Sequence, residues 1–479
     1  MNFRIISYII GWVCNFQAVF MLLPCVTAMV YMENDFFAFL LSMGICLTIG
    51  LPLTVKKPRN KVFYIKDGCV AVALSWIAMC VTGSLPFLFT NSIAHPIDAL
   101  FETVSGFTTT GSSILTDVEV LPHCILIWRS FTHWIGGMGV LVFLLSLLPL
   151  AGGYHMNLMK AESPGPSVSK LVPKVQSTAK ILYTIYIAMT VIQMIFLLIG
   201  NVPLFDTLCI TFGTAGTGGF GIKNDSMGSY SSYCQIVTTV FMILFGVNFS
   251  VYYLVITKKI KQALKFEEIR YYFGIITAAI ILITLNTTHL FANVGEAIRQ
   301  SAFQVGSIIT TTGFSSTDFN QWPALSKTIL VLLMFVGACA GSTGGGIKVS
   351  RFLILCKAAK KELQLYLHPN AVKKIKMDDK TITHDVLRST NIFLTLYILI
   401  FAVSVLIVSL DNFDLITNFT AVAATLNNIG PGLEIVGPMG NFNSFSYLSK
   451  SVLIFDMLAG RLEIFPLILL FFKGTWKKF

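Results

Sequence analysis

Ten long apolar runs divide the chain, near residues 5–32, 36–55, 68–90, 123–150, 178–200, 233–257, 270–290, 325–356, 389–410 and 447–472. A hydrocarbon layer about 30 Å thick is crossed by about 20 residues of helix, so each run is long enough to span it. Inside that layer a backbone must satisfy its own hydrogen bonds, and a continuous apolar run does so as a helix. Only 12% of the 479 residues are charged, against about 25% in an average soluble domain. That excludes a soluble enzyme, a disordered regulator and a secreted disulfide scaffold. The expected class is an all-α polytopic membrane protein. The first run continues past residue 30, too long for a signal peptide's apolar core, so it reads as a retained span. The ten cysteines form no CxxC pair and lie mostly in apolar stretches. They read as buried apolar residues rather than disulfides or metal ligands. Seven histidines show no HExxH and no Ser/His/Asp arrangement is readable. Neither an enzyme nor an organic cofactor on this chain is expected.

The charges sort by side. Lysine-rich connections at 56–66, 258–270 and 357–388, the C-terminal Lys473, Lys477 and Lys478, and Arg4, Lys160, Lys170, Lys174, Lys180, Lys348 and Arg351 supply 28 of the 34 basic residues. The opposite side carries thirteen acids, among them Asp98, Asp206, Glu296 and Asp414, and five basic residues. The lysine-rich side is expected to face the cytoplasm, with both termini there. The net charge of +11 then follows from topology and calls for no nucleic acid.

Between spans lie four shorter stretches, near 96–108, 204–215, 295–309 and 415–427, too short to cross and therefore candidate re-entrant half-helices entering from outside. Each runs into a glycine-containing strip: Thr109-Thr110-Gly111, Thr217-Gly218-Gly219, Thr311-Thr312-Gly313 and Asn428-Ile429-Gly430. The pattern of span, half-helix, strip and span thus occurs four times after two N-terminal spans. Non-helical backbone at membrane depth must be buried in protein or line a polar cavity. Four such strips around one axis would present carbonyl oxygens to a dehydrated cation, with the negative ends of the half-helices aimed at it. The plainer reading, that Gly and Thr only permit close helix packing, suits one such strip better than four in register. The second and fourth strips depart from T-T-G, so four equivalent oxygen rings are not assumed.

Further motifs are Trp134-Ile135-Gly136-Gly137-Met138-Gly139, Ala161-Glu162-Ser163-Pro164-Gly165-Pro166, Gly246-Val247-Asn248-Phe249, Gly337 through Lys348, Asn427 through Gly432 and Gly460-Arg461-Leu462-Glu463-Ile464-Phe465. With the strips, they make the whole chain resemble the Trk/Ktr/HKT superfamily of potassium transporters, of bacterial TrkH type. The resemblance implies two N-terminal spans (1–66) and four pseudo-symmetric pore repeats (67–177, 178–268, 269–380, 381–479) around one central pore in the bacterial cytoplasmic membrane. It implies that the twelve strip residues named above form a K+ filter. It also implies a homodimer in membrane lipid and a cytosolic TrkA-type nucleotide-binding regulatory ring. The basic loop 357–388 and the C-terminus are candidate docking surfaces, though solvated or lipid-contacting charge accounts for them equally.

Gly337, Gly341, Gly344, Gly345 and Gly346, with Ser342 and Thr343, interrupt the run 325–356. Each glycine costs a helix about 1 kcal/mol relative to alanine, so a loop at membrane depth is expected there. The resemblance implies an intramembrane gate. The spacing fails the nucleotide-binding pattern G-x-x-x-x-G-K-[ST], because Ile347 separates Gly346 from Lys348. Lys348 is expected to snorkel or cap carbonyls, or to take part in gating. Arg461 reads as the one basic residue near the middle of a span. It either pairs with Asp456 or Glu463 or projects into the pore as a barrier to cations. The competing function is secondary transport of an organic solute, whose folds also use glycine-broken helices. Such folds show two inverted halves rather than four repeats in one direction. Whether transport is passive or coupled to H+ or Na+ is not legible.

Overall fold

The first run folds as two helices in line, α1 (Phe3–Phe20) and α2 (Leu22–Val30), and α3 (Phe36–Val55) returns beside it. This computed structural model describes residues 1–58, 63–139, 175–370, 373–378 and 380–476. Arg59, Lys61, the stretch 140–150, the motif Ala161–Pro166, Lys160, Lys170, Lys174, Lys477 and Lys478 lie outside the described residues. Lipid solvates an apolar helix as well as another helix does, so docking in a membrane rests on close fit and polar contacts. Asn15 Nδ2 donates to Thr54 Oγ1 of α3 at 3.2 Å. Gln17 bridges α1 to α4 (Ile65–Gly83), donating to the Met79 carbonyl at 3.0 Å and accepting from Thr82 Oγ1 at 2.7 Å.

Repeat one runs from α4 through the short α5 (Leu85–Phe89) into the half-helix α6 (Pro96–Phe107), then a strip, then α7 (His123–Gly137). Repeat two has α8 (Val175–Ile199), the half-helix α9 (Leu204–Gly216), α10 (Ser232–Phe245) and α11 (Phe249–Ile256). A short helix α12 (Ile260–Ala263) follows. Repeat three has α13 (Glu267–Thr287), the half-helix α14 (Val294–Ile309), α15 (Ala324–Val336) and α16 (Val349–Leu367). A two-stranded antiparallel hairpin, β1 (Lys376–Met377) and β2 (Lys380–Thr381), pairs Lys376 with Thr381. Repeat four has α17 (His384–Val408), the half-helix α18 (Leu415–Leu426), α19 (Tyr447–Arg461) and α20 (Phe465–Phe471).

The four half-helices fall within one or two residues of their expected bounds. Three of the expected spans do not run straight. The run 233–257 bends by 92° between α10 and α11, where the Asn248 side chain accepts from Ser250 N–H at 2.9 Å and restarts the helix. The run 325–356 opens into a loop at Gly337. The run 447–472 breaks at Glu463 and Ile464, which sit at φ 56° and 69°. Apolarity registers membrane depth, and it does not register a bend.

The outer acids have a local cause. Asp98, Asp206 and Glu296 lie in the first turns of α6, α9 and α14. Asp414 is the N-cap of α18 and accepts from Thr417 N–H at 2.9 Å. A carboxylate at a helix N-terminus offsets the exposed amides and the dipole. Bonds from the Thr417 hydroxyl and amide hold the Asp414 carboxyl below its ordinary range. All four half-helices therefore carry an acid at their N-termini and run at their C-termini into the strips. The peripheral helices leave large apolar side chains such as Leu285 and Leu406 exposed, as lipid-facing surfaces require.

Candidate functional site

Each half-helix ends in the same cap. Thr109 N–H reaches the Gly106 carbonyl at 3.1 Å and Thr110 N–H reaches Ser105 at 2.9 Å. The pair of bonds recurs at Thr217 and Gly218 (3.0 and 2.8 Å), at Thr311 and Thr312 (3.1 and 2.8 Å) and at Asn428 and Ile429 (3.2 and 2.9 Å). These are Schellman closures, which require a left-handed residue one past the cap. That residue is Thr109, Thr217, Thr311 or Asn428, at φ 56°, 56°, 58° and 55°. Left-handed backbone costs an L-residue roughly 1–2 kcal/mol, and a β-branched threonine is a rare occupant. Strain repeated at equivalent positions marks a site held in shape by its surroundings.

Two residues on, Gly111, Gly219, Gly313 and Gly430 have φ 83°, 77°, 86° and 104°. A Cβ on Gly111 would come within 3.0 Å of the Gly218 carbonyl oxygen, on Gly219 of that of Thr312, on Gly313 of that of Ile429, and on Gly430 of that of Thr110. Strip one therefore abuts strip two, two abuts three, three abuts four, and four returns to one. The strips close a ring in which no glycine tolerates a side chain. One face of the ring lines a cavity of about 160 Å³ that all four glycines reach.

The departures from T-T-G are confined to side chains. In strips one and three the second threonine pairs its hydroxyl with the threonine two before it, Thr108 with Thr110 at 2.8 Å and Thr310 with Thr312 at 2.7 Å. In strip two the His133 ring occupies the space a side chain on Gly218 would need. His133 is fully buried, with Nδ1 donating to the Gly106 carbonyl at 2.8 Å and Nε2 accepting from Phe220 N–H at 3.2 Å. A carbonyl only accepts and an amide only donates, so the ring is neutral with its proton on Nδ1. In strip four, Asn428 Nδ2 donates to Thr110 Oγ1 at 2.9 Å and to the Met457 carbonyl at 2.8 Å. Asparagine thus joins strip four to strip one.

Behind strip one lies a buried ion pair that sequence reasoning missed. Arg129 Nε donates to Glu102 Oε1 at 2.9 Å, with the two residues 2% and 1% exposed. Glu102 also accepts from Ser113 Oγ and Ile114 N–H, and Arg129 donates to the Gly221 carbonyl at 3.2 Å. The pair holds the chain leaving strips one and two. Arg129 thus joins Arg461 as a basic residue within an apolar run, and its place inside 123–150 is the signal that points to it.

The glycine-rich loop lies directly beneath strips three and four. Gly345 N–H donates to Thr311 Oγ1 at 2.6 Å, and Gly346 N–H donates to the Asn427 carbonyl at 3.0 Å. Thr343 Oγ1 donates to the Phe245 carbonyl at 3.3 Å, and the Gly341 carbonyl accepts from Phe249 N–H at 3.0 Å, so the loop also leans on the bend of repeat two. Ser342 Oγ closes a turn on the Cys339 carbonyl at 2.7 Å. Gly337 and Gly346 cross so closely that neither has room for a side chain. Lys348 is buried and its Nζ donates back to the Gly344 carbonyl. Arg461 donates to the Thr343 carbonyl at 3.0 Å and to the carbonyls of Gly136 and, at 2.7 Å, Gly137 at the end of α7. Its expected acidic partners are engaged elsewhere. Glu463 pairs with Arg351, and Asp456 Oδ1 accepts from Ser404 Oγ at 2.8 Å. Arg461 thus connects the loop to repeat one.

A family model described as TrkH, cation transport protein, matches residues 35–477. The Trk system potassium uptake protein TrkH of Salmonella typhimurium is 35% identical over 485 residues, with 100% of both chains covered. The Trk system potassium uptake protein TrkG of Escherichia coli is 33% identical with 99% of each covered. The crystal structure of the potassium transporter TrkH from Vibrio parahaemolyticus matches with a TM-score of 0.90 at 32% identity, over 100% of both chains.

Proposed function

Because this chain belongs to the TrkH family of cation transport proteins, we propose that it takes up K+ across a cytoplasmic membrane through the ring of four strips. The observation that carries this reading is the closed ring, in which four strips of three different sequences share one backbone conformation. Carbonyl oxygens along the strips replace the hydration shell of a K+ ion, and four helix C-termini supply partial negative charge. The names of the relatives point to the same ion. Thr109, Thr110 and Gly111, Thr217, Gly218 and Gly219, Thr311, Thr312 and Gly313, and Asn428, Ile429 and Gly430 form the filter. Their units are the four pore repeats that follow the N-terminal domain at 1–66.

The loop from Gly337 to Lys348 is the gate, and its docked position under Thr311 and Asn427 is the closed one. Arg461 adds a positive charge beneath the filter and ties the loop to Gly136 and Gly137, acting as both latch and electrostatic barrier. The chain works as a homodimer with both termini cytoplasmic. A TrkA-type nucleotide-binding ring docks on the basic cytoplasmic loops and regulates opening.

Flux of K+ and Rb+ into liposomes holding the purified protein, with Na+ compared, tests the reading. The expected result is K+ and Rb+ flux exceeding that of Na+. Amino-acid or sugar uptake without K+ flux would reject it in favour of a secondary transporter.

A further inference from the structure

One carboxylate holds both ends of the glycine loop. Glu268, in the first turn of α13, is 3% exposed. Its Oε1 accepts from Ala340 N–H at 2.7 Å and from Ser350 N–H at 3.1 Å. Ala340 precedes Gly341 and Ser350 lies two residues after Lys348, so the two amides flank the segment that lies under the strips. The neck between them is closed by Val349 N–H on the Ala338 carbonyl at 3.1 Å. A buried carboxylate is retained only where donors meet it, and here one donor is the loop's Ala340 amide and the other the Ser350 amide in the first turn of α16.

The same turn of α13 is anchored toward the lysine-rich side. Glu267 N–H donates to Asp378 Oδ1 of the hairpin at 2.8 Å. The Glu267 carboxylate pairs with Lys357, whose Nζ also donates to the Lys376 carbonyl at 2.8 Å. A cavity of about 530 Å³ is lined by Glu268, Ala340 and Ser350 and also by Asp378 and Thr381 of the hairpin. The loop therefore borders free volume, and the helix turn beside it is bonded to the hairpin.

We propose that Glu268 is the positioning residue that clamps the gate loop in its closed, filter-docked position, with the hairpin at 376–381 as the handle that loads the clamp through Glu267. The proposal rests on the loop being the gate.

The test is Rb+ uptake into liposomes by the full chain, comparing wild type, Glu268→Ala, Glu268→Gln and a chain with Gly341–Gly344 deleted. Removing the clamp is expected to raise flux at least about tenfold, the weight of one charge-assisted hydrogen bond. A misfolded protein would lower it instead. Glu268→Gln keeps an acceptor oxygen for both amides and is expected to return most of the way to wild-type flux. In the shortened-loop chain, whose flux is itself expected to be raised, Glu268→Ala is expected to add nothing. Wild-type flux in Glu268→Ala, or an equal gain in the shortened background, overturns the clamp and leaves the gate reading standing. Wild-type flux in the shortened chain overturns both. If Glu268→Ala does not purify as a monodisperse protein, Glu268→Asp, which draws the carboxylate back by one methylene, carries the same expectation with a smaller rise. Unchanged flux in that variant overturns the clamp.

Discussion

The hydroxyl of Thr311 accepts the backbone N–H of Gly345 at 2.6 Å. One residue thus belongs to the third strip and to the surface on which the glycine-rich loop docks. Moving the loop leaves that hydroxyl and the Asn427 carbonyl without their donors, so strip and loop share hydrogen bonds.

Thr311→Val keeps the β-branched shape and removes the acceptor. A buried amide left without a partner costs about 1–3 kcal/mol, so the docked loop is destabilised and Rb+ flux rises about fivefold or more. Thr311→Ser retains the oxygen and stays near wild type. Equal flux in the two variants would contradict the shared bond.

Gly111→Ser places a side chain against the Gly218 carbonyl at a φ of 83°. The carbonyl must move off its position, and a left-handed serine adds roughly 1–2 kcal/mol. The K+/Na+ permeability ratio from reversal potentials in bilayers is expected to fall by about an order of magnitude. A preserved ratio would mean that the ring does not set selectivity.

Arg461→Ala removes the donors to the carbonyls of Thr343, Gly136 and Gly137 and the charge beneath the filter. Cation uptake is expected to rise. Arg461→Lys keeps the charge but cannot fork between two backbone segments, so its flux falls between the two. Wild-type uptake by the alanine variant at normal expression would falsify the barrier.

Arg129→Leu leaves Glu102 buried without its cation, which costs about 3–5 kcal/mol. Thermal unfolding in detergent is expected to shift strongly downward. Combining it with Glu102→Gln should recover part of the loss, because the uncompensated charge is gone. Strictly additive shifts would show that the two residues do not act as a pair.

Gly218→Thr, which would turn strip two into T-T-G, is expected to abolish flux rather than improve it. The His133 ring stands where the new side chain must go, and moving that ring breaks its bonds to Gly106 and Phe220. Wild-type flux would show that the ring can be displaced at little cost.

Much of this architecture is written locally. Apolar runs report membrane depth because each residue is solvated by lipid independently of the others. The half-helices were legible from length and from the Gly, Thr and Asn that end them. The strips were legible because they recur. Where the chain bends was less so, since Asn248 and Ile464 act through caps and backbone angles that hydropathy does not register.

The membrane class, the placement of the half-helices and the four strip glycines are all readable in the order of residues along the chain. Tertiary structure decided the partners. Arg461 lies more than 300 residues from Gly136 and Gly137 in the chain, and its nearby acids are taken by Arg351 and Ser404. His133 accounts for Gly218, Glu102 meets Arg129 across two helices, and Glu268 reaches the loop from another span. The reason is physical. Depth and helix ends follow from each segment's own solvation and backbone, whereas a buried polar atom takes whichever complementary group the packed fold brings within 3 Å.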